Sequence, residues 1–273
     1  MNDKVSDDSD CDDFFVTQPP SFSLRQTADA SYNIPLPTDG DSCTNEATCV
    51  RNTISIPGFF EPFSSVSHLL GALIFAAASF WLLRRGRGDS ARMVSLIAFC
   101  LGAVFLLSMS GIYHMLSPNG QARVFVQRLD HAGIFVLIAG SFTPAYTILF
   151  RGWGRIGGLL LIWTIAVVGI AIKMIYFDDM PTWLGLSLYV GMGWLGVFPS
   201  IFLWRRYGFD FVQPLFWGGV AYSIGAGLEG MNWPILVTGV VEWHEVLHVA
   251  VLVGLGSHWA FNYKIADGHV QPC

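Results

Sequence analysis

Residues 156–177 read IGGLLLIWTIAVVGIAIKMIYF, a run in which Lys173 is the only charged side chain. A helix needs about 20 mostly apolar residues to cross the hydrocarbon core of a bilayer. The run is therefore long and apolar enough to be a transmembrane helix. It indicates that lipid, rather than water, surrounds this part of the chain.

Other segments have the same character, and together they give seven predicted spans: 67–83, 93–116, 132–150, 156–177, 183–204, 211–231 and 244–261. The connections between them are short and rich in turn-forming and charged residues. Tryptophans cluster at the span ends, as they do at membrane–water interfaces. The predicted fold is an all-α bundle of seven transmembrane helices. The sixth span is rich in glycine and contains Glu229, so a re-entrant segment is the alternative there.

The composition agrees with a membrane protein and distinguishes the N-terminal part of the chain. Of the 273 residues, 53% are hydrophobic and 13% are charged, whereas a soluble domain carries about 25% charged residues. Many of the acidic residues lie before residue 60. We expect residues 1–58 to form an acidic, disordered tail and residues 59–273 to form the membrane domain. Cys43 and Cys49 in the tail could pair in an oxidising compartment.

Basic residues predict the orientation in the membrane. The arginines after the first, third and fifth spans all fall on one side, and so does Lys264 near the C-terminus. The opposite side has fewer basic residues near the span ends. The positive-inside rule then places the N-terminus outside and the C-terminus in the cytoplasm. We expect a multi-pass protein of the plasma or inner membrane.

The seventh span begins with HEVLH, residues 244–248. Ionisable residues inside a span are costly, so each marks a candidate functional site. His244 and His248 lie on one helix face at this spacing and can share a metal ion. Zinc is the predicted ion because neutral imidazole is among its commonest ligands. HEVLH also matches the metalloprotease pattern with Glu245 as general base, which leaves an intramembrane protease as an alternative.

Successive spans cross the membrane in opposite directions, so their order predicts which helix ends lie at the same surface. This order brings further polar residues to the same depth. The end of the second span and the starts of the third and seventh lie at one membrane surface. There His114 is predicted to be the third metal ligand, and Asp130 to orient or deprotonate a water. Ser110, one turn before His114, could hydrogen-bond that water or a substrate carbonyl. Three histidines, a water and a carboxylate compose a catalytic zinc site. The alternative for each histidine is a helix–helix hydrogen bond, and for Ser110 a bond to its own helix.

Other polar residues receive weaker assignments. His68 follows Ser64 by four residues at the same surface, so it is a candidate fourth ligand or a neighbour of the ligands. His131 is predicted to point away from the cluster. Lys173 is predicted to extend to the membrane interface. Two prolines are predicted to kink their helices: Pro144 and Pro199.

From about Phe60 onwards, the chain resembles the hemolysin III branch of the progestin and adipoQ receptor family. Several motifs in order carry the resemblance. They are the S-x-x-x-H stretches at 64–68 and 110–114, RLDHAGIFVLIAGSFTP at 128–144, LYVGMGW at 188–194, GGVAYSIGA at 218–226 and H-x-x-x-H at 244–248.

The resemblance implies a seven-helix fold unrelated to the G-protein-coupled receptors, with zinc bound by His114, His244 and His248 and with Asp130 near the zinc-bound water. Related enzymes include the alkaline ceramidases. This implies a zinc-dependent hydrolase of a lipid amide or ester, with a membrane lipid as substrate or ligand and with no nucleic-acid partner. A hemolysin-like pore and a receptor with a structural zinc are the alternatives. The receptors of the family are thought to hold their N-terminus in the cytoplasm, which is opposite to the orientation that the arginines predict.

Overall fold

A computed structural model describes residues 54–118 and 120–270, and these residues form an all-α protein. The predicted tail up to residue 53 lies outside the described residues, together with Cys43 and Cys49. The helices are α1 (Pro62–Arg85), α2 (Ser90–Met115), α3 (Gln121–Leu149), α4 (Gly152–Ile175), α5 (Thr182–Trp194), α6 (Val197–Tyr207), α7 (Phe209–Gly230) and α8 (Trp243–Ile265).

The predicted fifth span is interrupted: α5 and α6 share the apolar stretch Thr182–Tyr207. Pro199 has no backbone N–H, so it cannot donate to the carbonyl of Leu195 four residues earlier. Before Pro199 the helix is interrupted at Leu195 and Gly196, where Gly196 N–H donates to the Gly193 carbonyl three residues earlier at 3.0 Å. A kink at Pro199 itself stays a prediction. Pro144, in contrast, lies inside α3 without ending it.

Five helical stretches are long and apolar enough to cross a membrane. These are α1 to α4 and the α5–α6 stretch. The two remaining helices, α7 and α8, have 22 and 23 residues, and 22 residues of α-helix span about 33 Å. Large apolar side chains cover the outside of the bundle, as lipid requires: Leu73, Leu101, Leu160 and Phe198 are examples. The prediction of an all-α, multi-pass membrane protein is confirmed.

Two helices differ from the sequence prediction. α7 runs without a break from Phe209 to Gly230, so the re-entrant alternative for the sixth span is wrong. α3 starts at Gln121 rather than near residue 132, and Asp130 therefore lies well inside the helix. Hydropathy finds only the apolar part of a span. The first turns of α3 are polar, and Arg123 in them pairs with the buried carboxylate of Glu61.

Small residues let α2 and α3 approach each other closely. A Cβ atom added at Gly133 would lie 3.2 Å from the Cα atom of Leu106, and one added at Gly140 would lie 3.1 Å from the carbonyl oxygen of Ala98. In a bilayer, such close backbone contact supplies much of the packing energy between helices. This contact fixes α3 against the part of α2 that carries the candidate site residues Ser110 and His114.

Candidate metal centre

Two helix ends position the histidines. His114 lies in the last turn of α2, and His244 and His248 lie in the first two turns of α8. The start of α8 is fixed by a capping box, in which Glu242 and Glu245 each bond the backbone N–H that belongs to the other. Such reciprocal bonds hold a helix start in one conformation. The two α8 histidines therefore project from a rigid turn.

The structure brings the three imidazoles together. His244 Nε2 lies 3.2 Å from His248 Nε2 and 3.4 Å from His114 Nε2. One ligand nitrogen from each ring falls within a group whose members are all within 4.8 Å of one another. His114 and His248 are buried, and His244 is half-buried. Three nitrogens that converge on one point in this way form a group that could hold a metal ion.

Two glutamates bond the outer nitrogens of the rings. Glu61, just before α1, pairs with His114 Nδ1. Glu229, at the end of α7, lies 3.2 Å from His244 Nδ1. A carboxylate on Nδ1 fixes the tautomer that leaves Nε2 free to bind a metal, and it makes that nitrogen more basic. These carboxylate–histidine pairs are typical of metal centres.

Sequence reasoning missed Glu61 and assigned no role to it. Glu61 is 53 residues from His114 in the chain, and nothing in a one-dimensional pattern connects them. In the structure its backbone N–H donates to the His114 carbonyl at 2.9 Å, which brings the two side chains together. Arg123 lies 3.2 Å from the other carboxylate oxygen of Glu61 and packs over the ring of Tyr113.

His68 lies beside the cluster but outside the metal-holding group of three. Its ring stacks on that of His248 with centroids 3.9 Å apart. Its Nε2 lies 3.4 Å from the His248 carbonyl oxygen, and its Nδ1 has no hydrogen-bond partner among the described residues. Of the two predicted roles, the geometry matches a neighbour of the ligands.

The Glu245 carboxylate forms hydrogen bonds that do not involve the metal-holding nitrogens. One of its carboxylate oxygens accepts from the Ser64 hydroxyl at 2.9 Å, and the other accepts from the Glu242 N–H at 3.0 Å. A general base needs a free lone pair directed at the reacting water. The structural roles of Glu245 therefore argue against the intramembrane protease alternative.

Asp130 and Ser110 face each other between α3 and α2. Both side chains are buried, and Asp130 is close enough to Ser110 and to His244 to interact with them electrostatically. Tyr189 of α5 also interacts electrostatically with Asp130. Its hydroxyl is buried and lacks a hydrogen-bond partner among the described residues. Sequence reasoning gave Tyr189 no role, although it lies within the quoted LYVGMGW motif.

His131 and Lys173 both pack against the ring of Phe177. His131 Nδ1 bonds the Gln127 carbonyl within its own helix, and its ring packs edge-on against Phe177. The structure thus agrees with the prediction that His131 points away from the cluster. Only 7% of Lys173 is exposed, and its extension to the membrane interface stays a prediction. Its ammonium packs over the Phe177 ring instead of reaching solvent.

The helices and the buried histidine–carboxylate cluster define a multi-pass membrane protein with a candidate metal centre. Residues 59–259 match the family described as haemolysin-III related. The match spans most of the chain and all three histidines of the cluster. The protein therefore belongs to the haemolysin-III related family, as the ordered motifs predicted.

Curated relatives come from bacteria and eukaryotes. The chain is 28% identical over 167 residues to a hemolysin-3 homolog of Bacillus subtilis, covering 60% of this chain and 78% of that protein. It is 29% identical over 168 residues to hemolysin-3 of Bacillus cereus, covering 61% and 76%. It is also 31% identical over 180 residues to the heptahelical transmembrane protein ADIPOR3 of Oryza sativa, covering 59% of this chain but only 44% of the rice protein.

Proposed function

We propose that the protein is a zinc-dependent membrane hydrolase that cleaves an amide or ester bond of a lipid. The observation that carries the proposal is the convergence of three histidine Nε2 atoms beside a buried Asp130. Zinc–nitrogen bonds of 2.0–2.1 Å in a tetrahedral site imply nitrogens about 3.3–3.4 Å apart. Two of the three nitrogen separations, 3.2 and 3.4 Å, agree with this geometry.

The donor set also supports a catalytic rather than a closed site. Three neutral nitrogens leave the fourth position of a tetrahedral ion for water or substrate. When bound, zinc would supply Lewis-acid activation of a carbonyl group and of water. His114, His244 and His248 would hold it, and Glu61 and Glu229 would keep the rings of His114 and His244 oriented.

The chain's own residues would move the protons. As water adds to the substrate carbonyl carbon, the Asp130 carboxylate accepts a proton from that water. It then returns the proton to the leaving amine or alcohol as the carbon–heteroatom bond breaks. The buried Ser110 hydroxyl, beside Asp130, would hydrogen-bond that water or the substrate carbonyl. Tyr189, whose hydroxyl has an unused proton, would donate to the substrate carbonyl oxygen.

The test compares Asp130→Asn with the wild type in a lipid amide hydrolysis assay, with the substrate found by lipidomics of expressing cells. Asp130→Asn should abolish turnover and keep the bound zinc. Asp89→Asn is the matched control, because Asp89 caps the start of α2 at the far end of that helix, and Asn caps equally well. Unchanged hydrolysis by Asp130→Asn would contradict the proposed mechanism.

A receptor with a structural zinc is the second candidate, and one observation favours it. The three histidines lie on the end of α2 and the start of α8, so a bound ion would tie these two helices together. This candidate also agrees with relatives whose names include progestin and adipoQ receptor. It predicts that zinc removal lowers the melting temperature while no lipid is turned over. A hemolysin-like pore would instead release dye from liposomes that contain the purified protein.

A further inference from the structure

Three basic side chains surround one aromatic ring beside the candidate metal centre. The Arg128 guanidinium carbon and Lys173 Nζ each lie 5.0 Å from the ring centroid of Phe177. The His131 ring packs edge-on against the same ring at 5.2 Å. Arg128 and His131 belong to α3, Lys173 to the last turn of α4, and Phe177 to the turn that follows α4. We name these four residues the Phe177 cluster.

Within the Phe177 cluster, Arg128 pairs with Asp178 and His131 Nδ1 lies 4.0 Å from Asp130 Oδ2, whereas Lys173 has no such close carboxylate in the described residues. Lys173 is only 7% exposed, yet among residues 54–118 and 120–270 no carboxylate lies within 4.0 Å of its ammonium. Arg128 Nε is buried and has no hydrogen-bond partner in the same part of the chain. Burial of a charge without a partner is costly, and inside a membrane protein such residues mark ligand sites.

The nearest acid is a poor partner. Asp178 lies 3.4 Å from one terminal nitrogen of Arg128, but its side chain is 81% exposed. An exposed ion pair of this kind contributes little to stability. An anion that binds Arg128 more tightly can therefore displace the Asp178 carboxylate. Lys173 Nζ packs instead against α5, where it lies 3.5 Å from the position that a Cβ atom of Gly185 would occupy. The absence of a side chain at Gly185 leaves room beside the ammonium.

We propose that the Phe177 cluster binds the phosphate of an anionic lipid headgroup between Lys173 and Arg128. A phosphate has enough oxygens to accept from both side chains, and arginine and lysine are its common ligands. Lys173 and Phe177 lie at the end of α4, a helix long and apolar enough to cross a membrane, and headgroups are found at such helix ends. The cluster's members are not among the three histidines of the candidate metal centre, although His131 interacts electrostatically with His244 and His114. The site would exist even if the protein hydrolysed nothing.

Binding of dioctanoyl phosphatidic acid to the purified full-length protein in detergent would test this by native mass spectrometry. Loss of a charged hydrogen bond costs about 1.5–3 kcal/mol, so Lys173→Gln and Arg128→Gln should each weaken binding about 10- to 100-fold. Lys173→Arg keeps the charge and should retain binding. Arg206→Gln removes an exposed arginine of α6 and is the control. The melting temperature of each variant checks that it is folded.

A second variant tests the site without removing any basic group. Asp178→Asn deletes the competing carboxylate and should tighten phosphatidic acid binding, which a purely structural role of the cluster would not do. Dioctanoyl phosphatidylcholine should bind weakly because its headgroup has no net charge. Inorganic phosphate that competes as tightly as the lipid would assign the site to a free anion and overturn the lipid assignment. Unchanged binding in Lys173→Gln, or an equal loss in Arg206→Gln, would overturn the proposal.

Discussion

Glu61→Gln should weaken zinc binding because it removes the charge that holds the His114 ring. In the structure the Glu61 carboxylate pairs with His114 Nδ1 and with Arg123. Glutamine can still accept one hydrogen bond from Nδ1. The Arg123 guanidinium, however, would remain near His114 without its counter-charge, and it would disfavour a bound cation.

The expected loss of zinc affinity follows from these contacts. Loss of a carboxylate that orients a metal-binding histidine costs about 10- to 100-fold in metal affinity. Glu61→Gln keeps one hydrogen bond and should lie near the lower limit, whereas Glu61→Ala should lie near the upper limit. Glu245→Gln is the matched control, because Glu245 is also a buried glutamate beside the cluster. It bonds Ser64 and a backbone N–H instead of a histidine ring, and glutamine can keep that capping-box bond at the start of α8.

Zinc affinity would be measured for each purified variant by competition with a chelator of known affinity. Glu61→Gln should release zinc at lower chelator concentrations than the wild type, and Glu245→Gln should match the wild type. The reasoning would be refuted if Glu61→Ala kept wild-type affinity, or if the Glu245 variant lost as much. Either result would mean that the carboxylate on His114 does not orient a metal ligand.

Two other predictions concern catalysis and orientation. Tyr189→Phe should lower the rate of lipid hydrolysis about 100-fold by removing a donor to the substrate carbonyl. Zinc content should stay unchanged, and an unaffected rate would exclude that role. In a cysteine-free background, Asp179→Cys should react with a membrane-impermeant maleimide in intact cells, whereas Arg87→Cys should react only after lysis. The reverse pattern would show that the positive-inside rule misplaced the N-terminus.

The sequence was sufficient to group the three histidines because helix geometry constrains them. A spacing of four residues places His244 and His248 on one face. Helix parity brings His114 to the same membrane surface. The helices themselves were also predictable, since apolar length is a direct requirement of the bilayer. The structure adds the distances, which a pattern of residue types does not contain.

The rest depended on contacts between distant parts of the chain. Glu61 bonds His114 across 53 residues, and no local pattern indicates this pairing. Asp130 was placed at a helix start because the polar first turns of α3 resemble a loop in hydropathy. Lys173 was expected at the interface because lysine near a span end commonly extends outwards. Its packing over Phe177 depends on the turn after α4.

The zinc content of the purified wild-type protein, combined with X-ray absorption at the zinc edge, tests the central claim most directly. We expect about one zinc ion per chain, with three imidazole nitrogens at about 2.0–2.1 Å. His244→Ala should lose most of this zinc. A wild-type protein that purifies without zinc and does not take it up, or a His244→Ala variant that retains it fully, would contradict the account.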